Sequence, residues 1–515
     1  MAPSTRREFL SDVGRGMLAA GLGATLANDL GFSTAFAEQG AESIPLGPYA
    51  ELVELMRNTP AEKLQPLLAR KILKGEVELK NLVAAGTLAN AVTFGGCDYV
   101  GFHTAMAMLP ALEMSRLLTS GREPLPVLKV LYRNSQQIQN VGGASHTELA
   151  AIHAAEHAAE GDLGIQIRDA CRKLDVQRGE ALLSMADAPL DAFNMLQPAM
   201  QDDMNVHRFV FAYRTYGLVG LLGNEYSFSL LRQCVRFCAD HERMRLEHKQ
   251  AESPIRTLMP RLLDQYKLVG KPLGKRDPGD DAVEVLCMAI YNGPRDRAAE
   301  AAAAALAEGI DPEVVGEAIA LASNLYVLRQ GGDKWRTHGD SAGVHSSDAT
   351  NAWRNMARIA KPEHAVTGLI VAAYHAGVQS APFQTSAYPT DEHRALIKVQ
   401  DAAELLAETE DAIRNNDQGR SAAAIQIYGD RGYPVDPVFD LMLKYAVSED
   451  GRLHGEKYYQ TVREEYRTTR PAFRWRQVVA LARVTSSAYG YNRDDKHGFR
   501  AAGYEDACRL LGVDG

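Results

Sequence analysis

Three histidines in this chain follow a glycine and open a stretch of helical periodicity: Gly101-Phe102-His103, Gly343-Val344-His345 and, with one more residue between, Gly451-Arg452-Leu453-His454. A helix amino terminus carries partial positive charge, which disfavours imidazolium and keeps the ring neutral. Neutral imidazole is the form that binds a metal, and the glycine lets neighbouring backbone come close. If the three stretches pack about a common axis, their rings meet. Three imidazoles in apolar helical surroundings suit Fe, Zn, Cu or Ni. His375 and His338 are the natural additional ligands or proton carriers, and Asp340 and Asp348 can orient a ring. Lys457, one turn beyond His454, can join it at a site, against the plainer reading of an exposed or salt-bridged lysine. The plainer reading is that each histidine hydrogen-bonds the loop of its own unit.

A second constellation competes. His153-Ala154-Ala155-Glu156-His157 matches H-x-x-E-H, the inverted zinc-protease pattern. Residues four apart share a helix face, so His153 and His157 can bind one Zn²⁺ with Glu156 as base. The plainer reading is a solvated helix face in a segment rich in Ala, Glu and His. There is no G-x-S-x-G elbow, no P-loop and no C-x-x-C. Cys97, Cys171, Cys234, Cys238, Cys287 and Cys508 are scattered and read as buried thiols.

The elements that must carry these residues are helices. Apolar residues three and four apart recur, and runs of alternating β-branched residues are rare. Residues 79–94 predict an apolar helix ending at Gly95-Gly96, with Gly-x-His five residues later, a second helix, Pro124 and Pro126, then the apolar stretch 127–132. Residues 314–330 predict a helix ending at Gly331-Gly332, followed eleven residues later by Gly-x-His, a helix, Pro362 and the apolar stretch 365–374. Pro471 lies 17 residues beyond His454, as Pro362 does beyond His345. The shared register points to internal duplication. Asp311-Pro312 predicts a helix start, with Asp as cap and Pro in the first turn. The expected fold is all-α, with duplicated helical units packed as an α-α array or multi-helix bundle.

Thr5-Arg6-Arg7-Glu8-Phe9-Leu10, the apolar run 17–27 and Ala35-Phe36-Ala37 resemble a bacterial twin-arginine (Tat) export signal. The run is too short for a permanent span, which needs ~20 residues. The resemblance implies contact with the Tat translocase during export, a periplasmic or secreted location, and a mature chain with no integral membrane segment. Its alternative is an uncleaved anchor. Hydrophobic residues at 46% and charged ones at 23% fit an ordinary globule, and a net charge of −9 argues against a nucleic-acid partner. The expected organisation is a signal over 1–37, an N-terminal helical half over 38–269, a Gly/Pro-rich linker at 270–281, a second unit over 282–378, a break at 379–391 and a C-terminal unit over 392–515.

Gly101-Phe102-His103 and the run Glu363-His364-Ala365-Val366-Thr367-Gly368 give the chain a likeness to the questin oxidase-like proteins. These resemble non-haem iron oxygenases whose metal is held by several histidines. The resemblance implies a transition metal, iron favoured over zinc, and a small organic substrate. The expectation is an exported metal-dependent oxidoreductase, a non-haem iron oxygenase working in an apolar helical pocket. His103, His345 and His454 would hold the metal, with His375 or His338 completing the shell. The alternatives are a zinc hydrolase at residues 153–157 and a non-enzymatic helical-repeat scaffold or binding protein of the cell envelope.

Overall fold

The computed structural model describes residues 44–150, 161–331, 341–378, 386–448, 452–490 and 502–513. The signal-like segment, the stretch with His153, Glu156 and His157, and His338 with Asp340 lie outside the described residues. Those described are helical throughout. In chain order the helices are α1 (Ala50–Asn58), α2 (Ala61–Leu73), α3 (Leu79–Phe94), α4 (Tyr99–Ser115), α5 (Leu125–Asn140), α6 (Leu163–Arg172), α7 (Val176–Leu183) and α8 (Pro189–Met200). They continue with α9 (Val206–Leu222), α10 (Ser227–Glu247), α11 (Ile255–Gln265), α12 (Asp280–Asn292), α13 (Arg295–Ala307), α14 (Pro312–Leu328), α15 (Ala342–Ile359) and α16 (Pro362–Ala376). The last are α17 (Asp391–Leu396), α18 (Ala402–Arg414), α19 (Gln418–Asp430), α20 (Asp436–Ala446), α21 (Arg452–Thr468), α22 (Trp475–Ala488) and α23 (Ala502–Leu511). Among the described residues there is no β-strand, and one isolated bridge joins Arg276 to Ile310. The all-α expectation holds.

The chain divides into two compact units. The first comprises residues 1–202, 211–252 and 500–515; the second comprises 203–210 and 253–499. Of the 270–281 segment, residues 270–279 run as irregular chain inside the second unit between α11 and α12, and Asp280 and Asp281 open α12.

In the first unit α4 packs on α5 and α3, and α23 packs on α2. Helix α3 is buried from Leu82 to Phe94, so its apolar residues surround it rather than forming one stripe. It ends at Gly95, which takes the left-handed conformation at φ 55°. Within this apolar packing one polar knot fixes register. Asn90 Nδ2 donates to Asn134 Oδ1 at 2.7 Å and to Thr104 Oγ1 at 3.0 Å, tying α3, α4 and α5 together. Each such bond is worth about 1 kcal/mol net and far more if one partner is left unpaired in the core.

In the second unit α14 packs on α15, α13 on α16, and α19 on α22. Asp311 caps α14 by accepting from the Glu313 amide, with Pro312 in the first turn, as the sequence predicts. A hydroxyl knot stands where the first unit has its amide knot. Ser346 Oγ donates to Ser323 Oγ at 2.9 Å, and Ser323 meets Thr350 Oγ1 at 2.7 Å. Deeper along α15, Arg354 pairs with Glu465 of α21 at 2.6 Å and with Glu313 of α14 at 2.6 Å. A buried pair of this kind adds little net stability, yet losing one partner strands a charge, so it pins how the three helices meet.

Candidate functional site

The second unit brings histidines together from separate helices. His345 stands in the first turn of α15, which Ser341 caps by accepting from the Val344 amide at 3.2 Å. The helix can begin there because Gly343 sits against the last turn of α14. A Cβ at Gly343 would lie 2.6 Å from the Val327 backbone nitrogen, closer than any side chain permits. His345 Nδ1 is 3.1 Å from the Ser341 carbonyl. A carbonyl only accepts, so Nδ1 carries the proton and Nε2 holds the lone pair.

Two further rings stand beside it. The His454 ring, in the first turn of α21, is centred 5.1 Å from that of His345 at 76°, and the His207 ring, at the start of α9, is centred 5.9 Å away at 80°. Asn205 Oδ1 accepts from the His207 amide at 2.9 Å, so this ring too is presented by a capped helix start. His375, in the last turn of α16, lies 6.1 Å from the Phe209 ring, which itself rests 4.7 Å from buried Trp353. All four imidazoles are half-buried. Buried Lys457 of α21 completes the surroundings.

Electrostatics hold two of these rings neutral. Burial lowers the His345 pKa to about 4, and the Lys457 charge pushes in the same direction. Burial lowers that of His375 to about 3, helped by Arg295 and by His345 itself. Below the rings, Thr461 donates to Asp348 Oδ1 at 2.8 Å, and burial together with the Asp348 charge raises the Tyr458 pKa.

His103 lies in the first unit and has different company. Its helix α4 is capped by Asp98, which accepts from the Gly101 amide at 2.6 Å. Its Nδ1 bonds the Tyr99 carbonyl at 2.7 Å, the same four-residue reach back that His345 makes. Gly101 sits against the last residue of α3, where a Cβ would meet the Phe94 ring at 2.6 Å. The rings around His103, however, are aromatic: Tyr99 at 4.4 Å and Phe102 at 4.9 Å.

Of the histidines the sequence singles out, the structure thus gathers His345, His454 and His375 in the second unit. His207 joins them. The Gly-x-His pattern misses it because Asn205, not glycine, stands two residues before it; the signal that would find it is a capping Asn two residues ahead of a histidine at a helix start.

These rings offer nitrogen donors. Two imidazoles on one tetrahedral ion, with bonds of ~2.0–2.1 Å, have their ring centres roughly 5 Å apart. His345 and His454 meet that spacing. Among the described residues, however, no group of three or more His, Cys, Asp or Glu side chains is placed to hold a metal ion. The fit is therefore to a two-imidazole pair, without a closed ligand shell. The same rings are placed to pass protons along a chain of imidazoles, with His345 and His375 holding one only as pH falls toward about 4 and about 3. No family model, no curated protein and no solved structure matches the chain.

Proposed function

We propose that the histidine group of the second unit is the reaction centre of an exported oxidoreductase, and that it works with a bound transition metal, iron favoured over zinc. The observation that carries this reading is the meeting of imidazoles from three helix starts, His207, His345 and His454, with His345 held neutral. Iron there would supply the capacity to bind and activate dioxygen. His345 and His454 would hold it through ring nitrogens, with His207 as the nearest further donor. His375, kept neutral beside Arg295, would accept a hydrogen bond from a small organic substrate and so orient it. Trp353 and Phe209 would give that substrate an apolar wall and keep water off it.

A second reading is favoured by the lack of a three-donor group among the described residues: the same imidazoles form a metal-free proton relay beside Lys457. Metal analysis of the folded, exported chain separates the two. The metal reading expects close to one equivalent of a transition metal, lost in His345→Ala and His454→Ala. Less than about 0.2 equivalents in fully folded protein would end it and leave the relay. Export itself is tested by changing Arg6 and Arg7 to Lys, which should leave the precursor in the cytoplasm. A chain that reaches the periplasm regardless does not use the twin-arginine route.

A further inference from the structure

The last turn of α14 and the chain just ahead of α17 border a cavity in the second unit, of about 270 Å³. Leu325, Leu328, Val479 and Tyr388 give it an apolar wall. Three guanidinium groups reach it, from Arg329, Arg394 and Arg476, against one lining carboxylate, Glu284. Arg476 Nη1 donates to Glu284 at 2.7 Å, and Arg394 Nη2 to Asp430 at 2.6 Å. Each of these pairs occupies only part of a five-donor fork.

Arg329 differs from the other two. It caps α14, and no carboxylate pairs with it among the described residues. Its guanidinium lies over the Tyr291 ring at 4.9 Å, and its Nε is buried with no hydrogen-bond partner. The carbonyl end of a helix favours one guanidinium, so it accounts for Arg329 alone. With Arg476 paired to Glu284 and Arg394 to Asp430, Arg329 brings the cavity a positive charge that an anion would offset. A guanidinium fork matches the paired oxygens of a carboxylate or phosphate. The volume is informative as well. An apolar cavity of ~150 Å³ holds benzene, so this one has space for such a ring with an acidic arm.

We propose that this cavity binds a small organic acid, an apolar ring or chain ending in a carboxylate, with Arg329 as the principal partner of the oxyanion. Arg394 and Arg476 lend their remaining donors, and Leu325, Leu328 and Tyr388 hold the apolar part. The site uses none of the histidines, so it stands or falls separately from the metal reading.

Calorimetric titration of the mature chain with phenylacetate, and in parallel with inorganic phosphate, tests it. Phenylacetate should bind saturably, and phosphate at least ~10-fold more weakly because it cannot fill the apolar wall. Arg329→Met should weaken phenylacetate by ~10-fold or more, since a desolvated charge partner is lost. Ala387→Trp, which fills the cavity from its rim, should abolish binding with an unchanged melt, and His345→Ala should leave binding as it was. The proposal is overturned if phenylacetate does not saturate, or if its binding survives both Arg329→Met and Ala387→Trp. Binding of phosphate alone would assign the pocket to phosphate esters and remove the carboxylate.

Discussion

His103 and His345 are held by the same local device in different units, and the rings that stand beside them differ. Each follows a glycine pressed against the end of the preceding helix, each helix start is capped by a side chain, and each ring reaches back four residues to a carbonyl. The next residue, Thr104 or Ser346, bonds the preceding helix through its hydroxyl, as acceptor from Asn90 or donor to Ser323. Yet His103 lies among Tyr99 and Phe102, whereas His345 lies among His207, His454 and Lys457. The device therefore places a neutral imidazole without prescribing its use. Chemistry depends on which side chains other helices bring to it, and in the second unit these include the imidazoles of His207 and His454.

The largest expected contrast is in metal content. On the proposed metal reading, His345→Ala should cut bound transition metal at least ~10-fold, because a bound ion depends on each neutral donor. His103→Ala should leave it unchanged. Equal loss from both variants would erase the distinction between the units and return His103 to the ligand set. Next in size is the glycine contact. Gly343→Ala meets backbone atoms of Tyr326 and Val327 that cannot swing away, whereas Gly101→Ala meets the Phe94 side chain. Overpacking costs ~1–3 kcal/mol, so Gly343→Ala should fall at the upper end and Gly101→Ala below it by thermal melting. The opposite order would mean that α15 slides on α14 more easily than α4 slides on α3.

Much of this local device was legible in residue order. The helix expected over 79–94 forms over those residues, and the Asp311-Pro312 start forms as expected. Caps, glycines and apolar periodicity act over a few residues, so they show in a single sequence. The ends of the repeat were less legible. Gly95 closes α3 in a left-handed turn, but α14 stops at Leu328 with Arg329 as its cap, ahead of Gly331. Arg329 in that place helps build a basic cavity that no motif announced. His207 was hidden for a related reason: its partners are more than a hundred residues away, and only the packing of α9, α15 and α21 brings them together.

Acid should sharpen the contrast further. His345 and His375 stay neutral in the fold down to pH values of about 4 and about 3, while in the unfolded chain each takes a proton near 6.5. The unfolded state thus binds more protons as pH falls, so the stability these rings contribute is complete above about pH 6.5 and drains away toward pH 4. Between pH 6.5 and 5.5 each ring should cost about 1 kcal/mol. Denaturant midpoints of the wild type should drop across that interval, and a His345→Gln, His375→Gln double variant should be flatter. Parallel pH profiles would show that neither ring is held neutral by its surroundings.

The smallest effect discriminates between position and stability. Ser341 supports His345 in two ways: its hydroxyl accepts from the Val344 amide and caps the helix that carries the ring, and its carbonyl accepts from the ring itself. Ser341→Ala removes the first and keeps the second, because the carbonyl belongs to the backbone. Loss of such a cap costs ~1 kcal/mol, and Asp98→Ala should cost a similar amount in the first unit. If ring placement rests on the carbonyl, Ser341→Ala should lower the melting temperature by a few degrees and leave metal content intact. Loss of metal with little loss of stability would instead make the Ser341 hydroxyl a positioning group. The corresponding Asp98→Ala variant, whose histidine packs against Tyr99 and Phe102, supplies the control, since it should change stability alone.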